Sequence, residues 1–364
     1  MAPKTLDLVP GRTLSCESTY SIDVQPPNHL GGVLLSEALA EDIYSPINRH
    51  VPGLGEVVRM DEPPFEAVKD PDNERNERWW KVNLNGFGYG VHETRPVGDV
   101  APGITFVHIP GFTELIEVGS ARDLHDSLAN TLPDARVISI ASDGIGPTGE
   151  HLHLDNFKDH TVKIMGEERA QLIEALVGED PTIVSACSMG SVISCEMLNF
   201  DAQHGHNLNA VPINYASAVV TPEKAFLIMA VLFPLHMSGD IPRAIIHSAL
   251  KYGAHHMQNM AHMLEDRGPD ILAMSVQVAS LMGGVALSSV ERVSATYPGG
   301  GNISGRYDPL AQWRMWTDLR AGGHSPHLRS IKRSGHGLAA DGTGGGVQIA
   351  KSADRWGLKD KLAA

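Results

Sequence analysis

Pro181-Thr-Ile-Val-Ser-Ala-Cys-Ser-Met-Gly-Ser-Val-Ile-Ser194 passes from a β-branched apolar run into a segment of helical character through the pentapeptide Ala186-Cys-Ser-Met-Gly190. A serine held on a sharp strand-to-helix turn needs small residues two before and two after it, because the strained backbone brings those positions against the neighbouring strand and helix. Ala186 and Gly190 meet that need around Ser188. A turn centred on Cys187 would put Met189 in the second small position, and one centred on Ser191 would have Met189 before it and Ile193 after it. Ser188 is therefore the candidate nucleophile.

Short apolar runs separated by turn residues surround this stretch: Trp79 to Leu84, Ile104 to His108, Val137 to Ala141 and Thr182 to Ala186. Segments long enough for helices, Glu114 to Asn130 and Asp155 to Gly178, lie between the last three, and strands alternating with helices imply a parallel sheet. A helix from Ser191 to about Phe200 and a strand near Ala210 to Val220 continue the alternation. Residues 221–291 read differently, as several helices without a convincing strand. This region holds Met229, Met237, Met257, Met260, Met263, Met274 and Met282. Flexible, polarizable thioethers suit an adaptable apolar surface, so Met229, Met257 and Met260 are candidate substrate contacts, although for any single methionine ordinary helix packing is the favoured reading. Strand signals return at Asn302 to Gly305 and Leu328 to Arg333, so residues 221–291 form an insertion in one sheet and a candidate cap. Residues 1–78 form an N-terminal extension, closed by the charged run Lys69-Asp-Pro-Asp-Asn-Glu-Arg-Asn-Glu-Arg78, which reads as a solvated loop. The core is then 79–220 and 292–364.

The 364 residues are ample to bury a core, and 42% hydrophobic with 20% charged residues is ordinary for a globular chain. A formal charge of −14 argues against a nucleic-acid partner, since no excess of Lys and Arg exists to displace counterions. Cys16, Cys187 and Cys195 are odd in number and scattered, which fits a reduced, cytoplasmic setting and offers no metal spacing. The first residues, Met-Ala-Pro-Lys-Thr-Leu-Asp-Leu-Val-Pro, lack the apolar core of a signal peptide, and no apolar run reaches the length of about 18 residues that a spanning helix needs. His247, His255, His256 and His262 fall near helical spacing but have no matching carboxylate or cysteine set, so no metal and no cofactor is expected. The composition leaves a homo-oligomer open.

A serine hydroxyl needs a base to take its proton and a third group to orient that base. His336, in Ile331-Lys-Arg-Ser-Gly-His-Gly-Leu338, and Asp308, in Ile303-Ser-Gly-Arg-Tyr-Asp-Pro-Leu310, both follow short strands, where open α/β sheets gather functional groups. Asp318 and Glu223 are alternative acids; His324 and His327 are weaker alternatives to His336, because they precede the expected turn.

The elbow, the order Ser188, Asp308, His336 and the alternating sheet together resemble the α/β-hydrolase superfamily from about Trp79 to the C-terminus. The resemblance implies an α/β-hydrolase fold: a mostly parallel open sheet flanked by helices, here with the helical cap and the N-terminal extension. It also gives Phe106-Val-His-Ile-Pro-Gly-Phe-Thr-Glu114 a meaning, as the loop whose Gly-Phe dipeptide presents an amide to the oxyanion. On that match Phe112 N–H and Met189 N–H form the oxyanion hole. Ser142-Asp-Gly-Ile-Gly-Pro-Thr-Gly149 resembles a structural loop of the same family. Three departures stand out: Ala186 where many relatives have glycine, Cys187 where a polar or aromatic residue is common, and Pro110-Gly111 where His-Gly is frequent. Cys187 reads as a buried side chain beside the elbow or as an auxiliary thiol.

The implied chemistry is acyl transfer to Ser188 and then to water, on a small-molecule carboxylic ester with an apolar acyl or alcohol group, lipid-like or lactone. A serine at the elbow disfavours the reactions of this fold that need a carboxylate nucleophile. Thioester, amide and C–C cleavage and perhydrolysis use the same residues, and fold resemblance does not choose among them. The competing class is a non-catalytic protein of the same fold that binds a ligand or a protein partner.

Overall fold

The computed structural model describes residues 33–34, 51–60, 76–85, 87–96, 102–111, 114–117, 119–141, 161–205, 208–227, 284–308, 310, 313–324, 326–332 and 334–363. Ten strands form one sheet: β1 (Val33–Leu34), β2 (Leu54–Met60), β3 (Asn76–Leu84), β4 (Phe87–Arg95), β5 (Thr105–Ile109), β6 (Arg136–Ile140), β7 (Thr182–Cys187), β8 (Ala210–Tyr215), β9 (Gly301–Gly305) and β10 (His327–Ile331), in the spatial order β1-β2-β3-β4-β6-β5-β7-β8-β9-β10. Strands β5 to β10 are mutually parallel; β1 to β4 add an antiparallel flank that joins them through β4 and β6.

The central strands are buried on both faces, which is why they read as near-continuous apolar runs. Val107, Ile109, Ile138, Ile140, Val184 and Ala186 face one core, while Phe106, Val137 and Ile183 face the other, as the two-residue period of a strand requires. Helices α2 (Val162–Val177), α3 (Met189–His204) and α5 (Leu287–Thr296) pack together, with Leu172, Ile173, Val192 and Val290 in the first core. On the other face α1 (Gly119–Thr131) packs on α7 (Gly342–Arg355), with Leu124, Leu128, Ile349 and Ala353 in the second core. The short α4 (Pro222–Leu227), α6 (Trp313–Ala321), a 3-10 turn (His336–Ala340) and α8 (Leu358–Ala363) complete the described elements.

After β5 and α1 the chain enters β6 on one side of β5, and later strands continue from its other side. The strand order therefore reverses between β5 and β7. Open α/β sheets bind ligands at such a crevice, beyond the carboxyl ends of the strands.

Two expected boundaries shift. The division between residues 78 and 79 falls inside β3, and β2 also belongs to the sheet. Asn76 to Arg78, expected in a solvated loop, are part of β3, and Glu77 is held by Arg122 at 2.9 Å. Glu77 conceals the strand, because Arg122 on α1 neutralises its charge. The flank is fixed to the core by Glu93, which accepts from Trp80 Nε1 at 2.9 Å, Arg95 at 2.9 Å and Arg136 at 2.5 Å. Burial alone would raise the Glu93 carboxyl, but the two guanidinium groups outweigh it and hold it at about 2. The boundary at residue 291 falls inside α5, which packs on α3. Residues 228–283, with Met229, Met257, Met260 and the four helically spaced histidines, lie outside the described residues, as does the loop Ser142 to Gly149.

Candidate active site

Ser188 joins β7 to α3 at φ 45° and ψ −115°, a positive-φ conformation that a non-glycine residue adopts only under constraint. The surrounding backbone supplies that constraint. Ser188 N–H donates to the Tyr215 carbonyl at 3.1 Å, and the Ser188 carbonyl accepts from Ser191 N–H at 3.0 Å and Ala218 N–H at 3.3 Å. The Ser191 hydroxyl donates to the same carbonyl at 2.5 Å and accepts from Ala218 N–H at 2.9 Å. The serine rejected as a nucleophile thus braces the one retained. Gly190 is required sterically: a methyl group there would lie 2.2 Å from the Ile109 carbonyl oxygen and 2.5 Å from that of Pro110. Ala186 is fully buried.

Asp308 leaves the end of β9 in a tight turn, its N–H donating to the Gly305 carbonyl at 3.2 Å. One carboxylate oxygen accepts from Leu310 N–H at 2.9 Å. The other lies 2.9 Å from His336 Nδ1, and His336 Nε2 lies 2.8 Å from Ser188 Oγ. An acceptor at Nδ1 puts the imidazole proton there, leaving Nε2 to accept from the serine hydroxyl. Asp308 and His336 are both buried. Ser188, His336 and Asp308 come together from the ends of three strands in one hydrogen-bonded line.

The alternatives lie elsewhere. Asp318 is on α6, beside Arg314 at 3.8 Å, and His327 stacks on Trp356 with ring centroids 4.9 Å apart. Glu223 is on α4, and its side chain is outside the described residues. Met189 opens α3, where first-turn amides have no partner within the helix. Phe112 lies outside the described residues, although its neighbour Gly111 is described. Cys187 is fully buried, and burial, with Glu114 and Asp308 nearby, pushes its thiol well above the usual range, so it is not a thiolate nucleophile.

Glu114 is the residue that sequence reasoning missed. It is buried, and it accepts from Gly111 N–H and, at 3.0 Å, from the Ser120 hydroxyl. Burial raises its carboxyl to about 7, against the opposing pull of the Gly111 and Ser120 hydrogen bonds and of nearby His336. Gly111 has no side chain with which to form a capping box with Glu114, so the sequence carries no such signal for it. A cavity behind α3, lined by residues that include Ser194, Leu198, Asn214, Val290, Tyr297 and Trp316, contains none of Ser188, Asp308 and His336. Among the described residues no group of His, Cys, Asp and Glu is arranged to hold a metal ion, and no helix is long and apolar enough to cross a membrane.

No protein-family model matches the sequence, and no curated protein matches it. Solved structures do resemble the chain. A carboxylesterase structure from the ammonia-oxidizing thaumarchaeon Nitrososphaera gargenis is 15% identical, with 76% of this chain and 96% of that one covered at a TM-score of 0.52. A thermophilic esterase from Thermogutta terrifontis is 13% identical, covering 76% and 95% at 0.51. A serine hydrolase involved in carbazole degradation is 16% identical, covering 78% and 98% at 0.52. At these identities the likeness is one of fold.

Proposed function

The chain has the α/β-hydrolase fold, and on that fold we propose that it is a serine hydrolase cleaving a carboxylic ester through an acyl-Ser188 intermediate. The observation that carries this reading is the continuous line from Ser188 Oγ through His336 to Asp308 at 2.8 and 2.9 Å. Names among the structural neighbours, carboxylesterase and esterase, support an ester as the substrate class. The methionine-rich composition of residues 221–291 supports an apolar acyl or alcohol group.

In the first half-reaction His336 Nε2 takes the hydroxyl proton as Ser188 Oγ attacks the ester carbonyl. The charge that develops on the carbonyl oxygen falls to the amides of Met189 and Phe112; one such donor is worth about 3 to 4 kcal/mol. Asp308 stabilises the imidazolium. His336 then returns the proton to the departing alkoxide, so alcohol leaves and the acyl group stays on Ser188. Water completes the cycle: His336 accepts its proton, hydroxide adds to the acyl carbon, and Ser188 recovers the proton as the acid is released.

Fluorophosphonate labelling of wild type, Ser188→Ala and His336→Ala tests the reading, with the adduct mapped by peptide mass and turnover followed across p-nitrophenyl esters of increasing acyl length. The expected result is an adduct on Ser188, lost in both variants, with ester turnover that depends on chain length. An adduct elsewhere, or none on folded wild-type protein, overturns it in favour of a ligand-binding protein of the same fold.

A further inference from the structure

Glu114 has no part in the proton path, yet its carboxyl is buried against the elbow. Its Oε2 accepts from Gly111 N–H, while its own N–H donates back to the Gly111 carbonyl at 3.3 Å. Gly111 and Glu114 are thereby joined twice, once by backbone and once by side chain. Its Oε1 is anchored to α1 by the Ser120 hydroxyl at 3.0 Å, and Cys187 Sγ on β7 lies 3.9 Å from the same oxygen.

Gly111 is pressed against the nucleophile. A methyl group built on Gly111 would lie 3.1 Å from Ser188 Cβ and 2.8 Å from Glu114 Oε2, so Gly111 is wedged between the two side chains. Gly111 N–H is committed to Glu114. An apolar side chain at position 114 would fill the space without the cost of desolvating a carboxyl, but it would leave Gly111 N–H buried without an acceptor.

We propose that Glu114 is a positioning residue, whose carboxyl holds Gly111 against Ser188 and so fixes the backbone beside which the nucleophile attacks. The proposal rests on the serine hydrolase reading for its catalytic consequence and on geometry alone for the clamp. The titratable groups that face the carboxyl are His336 from the 3-10 turn and Cys187 from β7, with Asp308 acting on Cys187 from behind. Because burial brings Glu114 to about 7, both of its protonation states are populated near neutral pH. The ionised form adds negative charge beside a site where an oxyanion must develop, whereas the protonated form does not.

The test compares wild type, Glu114→Ala and Glu114→Gln in the full chain by amide hydrogen exchange across residues 106–117, by the rate of Ser188 labelling, and by kcat and KM against pH. Glu114→Ala is expected to speed exchange at Gly111 and to lower kcat by roughly ten- to a hundredfold with little change in KM, as an ångström-scale misplacement does. Glu114→Gln keeps an acceptor in place. It is expected to restore slow exchange and most of kcat while removing one ionisation near neutrality from the kcat profile. Wild-type exchange and labelling rates in Glu114→Ala overturn the proposal, and so does equal impairment of Gln and Ala, which would make Glu114 a packing residue. If wild type itself is neither labelled nor active, the serine hydrolase reading fails, and the exchange measurement still decides the clamp.

Discussion

The α-carbon of Gly190 sits so close to Ile109 that an added methyl would lie 2.2 Å from the Ile109 carbonyl oxygen. The first turn of α3 and the end of β5 therefore meet backbone to backbone, and this approach holds Ser188 beside the segment that begins at Gly111. Gly190→Ala forces one of them to move. Overpacking of this kind costs about 1 to 3 kcal/mol. The expected outcome is a folded protein with a lowered melting temperature and slow or absent Ser188 labelling; wild-type labelling would mean that the elbow does not depend on this contact.

Ser188 pays for its place at the elbow with a positive φ of 45°. Conformations of that kind cost roughly 1 to 3 kcal/mol in a residue with a Cβ, whereas glycine adopts them freely and gives back about 0.5 to 1 kcal/mol through the unfolded chain. Ser188→Gly should therefore unfold a few degrees above Ser188→Ala in calorimetry, with both inactive. Equal melting temperatures would show that the turn is relaxed.

What was legible in the sequence was local. β5, β6 and β7 announce themselves as apolar runs, and Ser188, Asp308 and His336 each follow a strand within a few residues. What was hidden depends on partners distant in sequence. In β4, Phe87-Gly-Tyr-Gly-Val-His-Glu-Thr-Arg95, two glycines and three charged or ionisable residues mask a strand whose Glu93 is tolerated in the interior only because Arg95 and Arg136 reach it. Helix α7, Gly-Thr-Gly-Gly-Gly-Val-Gln-Ile-Ala-Lys-Ser-Ala-Asp-Arg, has a poor intrinsic propensity. Its glycines serve packing: a methyl on Gly342 would lie 2.0 Å from the Ser120 carbonyl, and one on Gly346 would lie 2.7 Å from Ser127 Cβ, both on α1. Glu114 was hidden because its partners, the Gly111 amide, the Ser120 hydroxyl and the Cys187 thiol, form no recognisable pattern of residue types in the sequence.

Asp308→Asn separates geometry from charge. The Asn oxygen is expected to keep the Leu310 N–H bond that Asp308 accepts at 2.9 Å, which turns the amide NH2 toward His336 Nδ1. Nδ1 must then accept, Nε2 carries the proton, and Ser188 loses its base. Turnover should fall by about a thousandfold or more while the melting temperature hardly changes. A loss of less than about tenfold would assign the acid to another residue.

The pH dependence of stability has two sides with different owners. On the acid side, His92 is stacked between Trp79 and His125 with centroids 4.2 and 3.8 Å away, and His125 is bonded to Thr94 and Ser139, each at 2.8 Å. Burial, with Arg122 nearby, pushes both histidines well below the usual range, and burial lowers His108 to about 4. These groups are neutral in the folded protein but take up protons in the unfolded chain, so their stabilisation is present above the ordinary histidine value of about 6.5 and is lost as pH falls below it. Glu114 acts in the opposite sense. Its folded value of about 7 lies above that of an unfolded glutamate, so the folded state is favoured at low pH and loses stability, on the order of 3 kcal/mol, as pH rises from about 4.5 through 7. Three histidines outweigh one carboxyl between about pH 5 and 7, so melting temperature measured from pH 4 to 9 should rise and level off near about pH 7. Glu114→Gln should steepen the rise between about pH 5 and 7, while His108→Asn should make it shallower; an unchanged slope in Glu114→Gln would show that its carboxyl is not shifted in the folded protein.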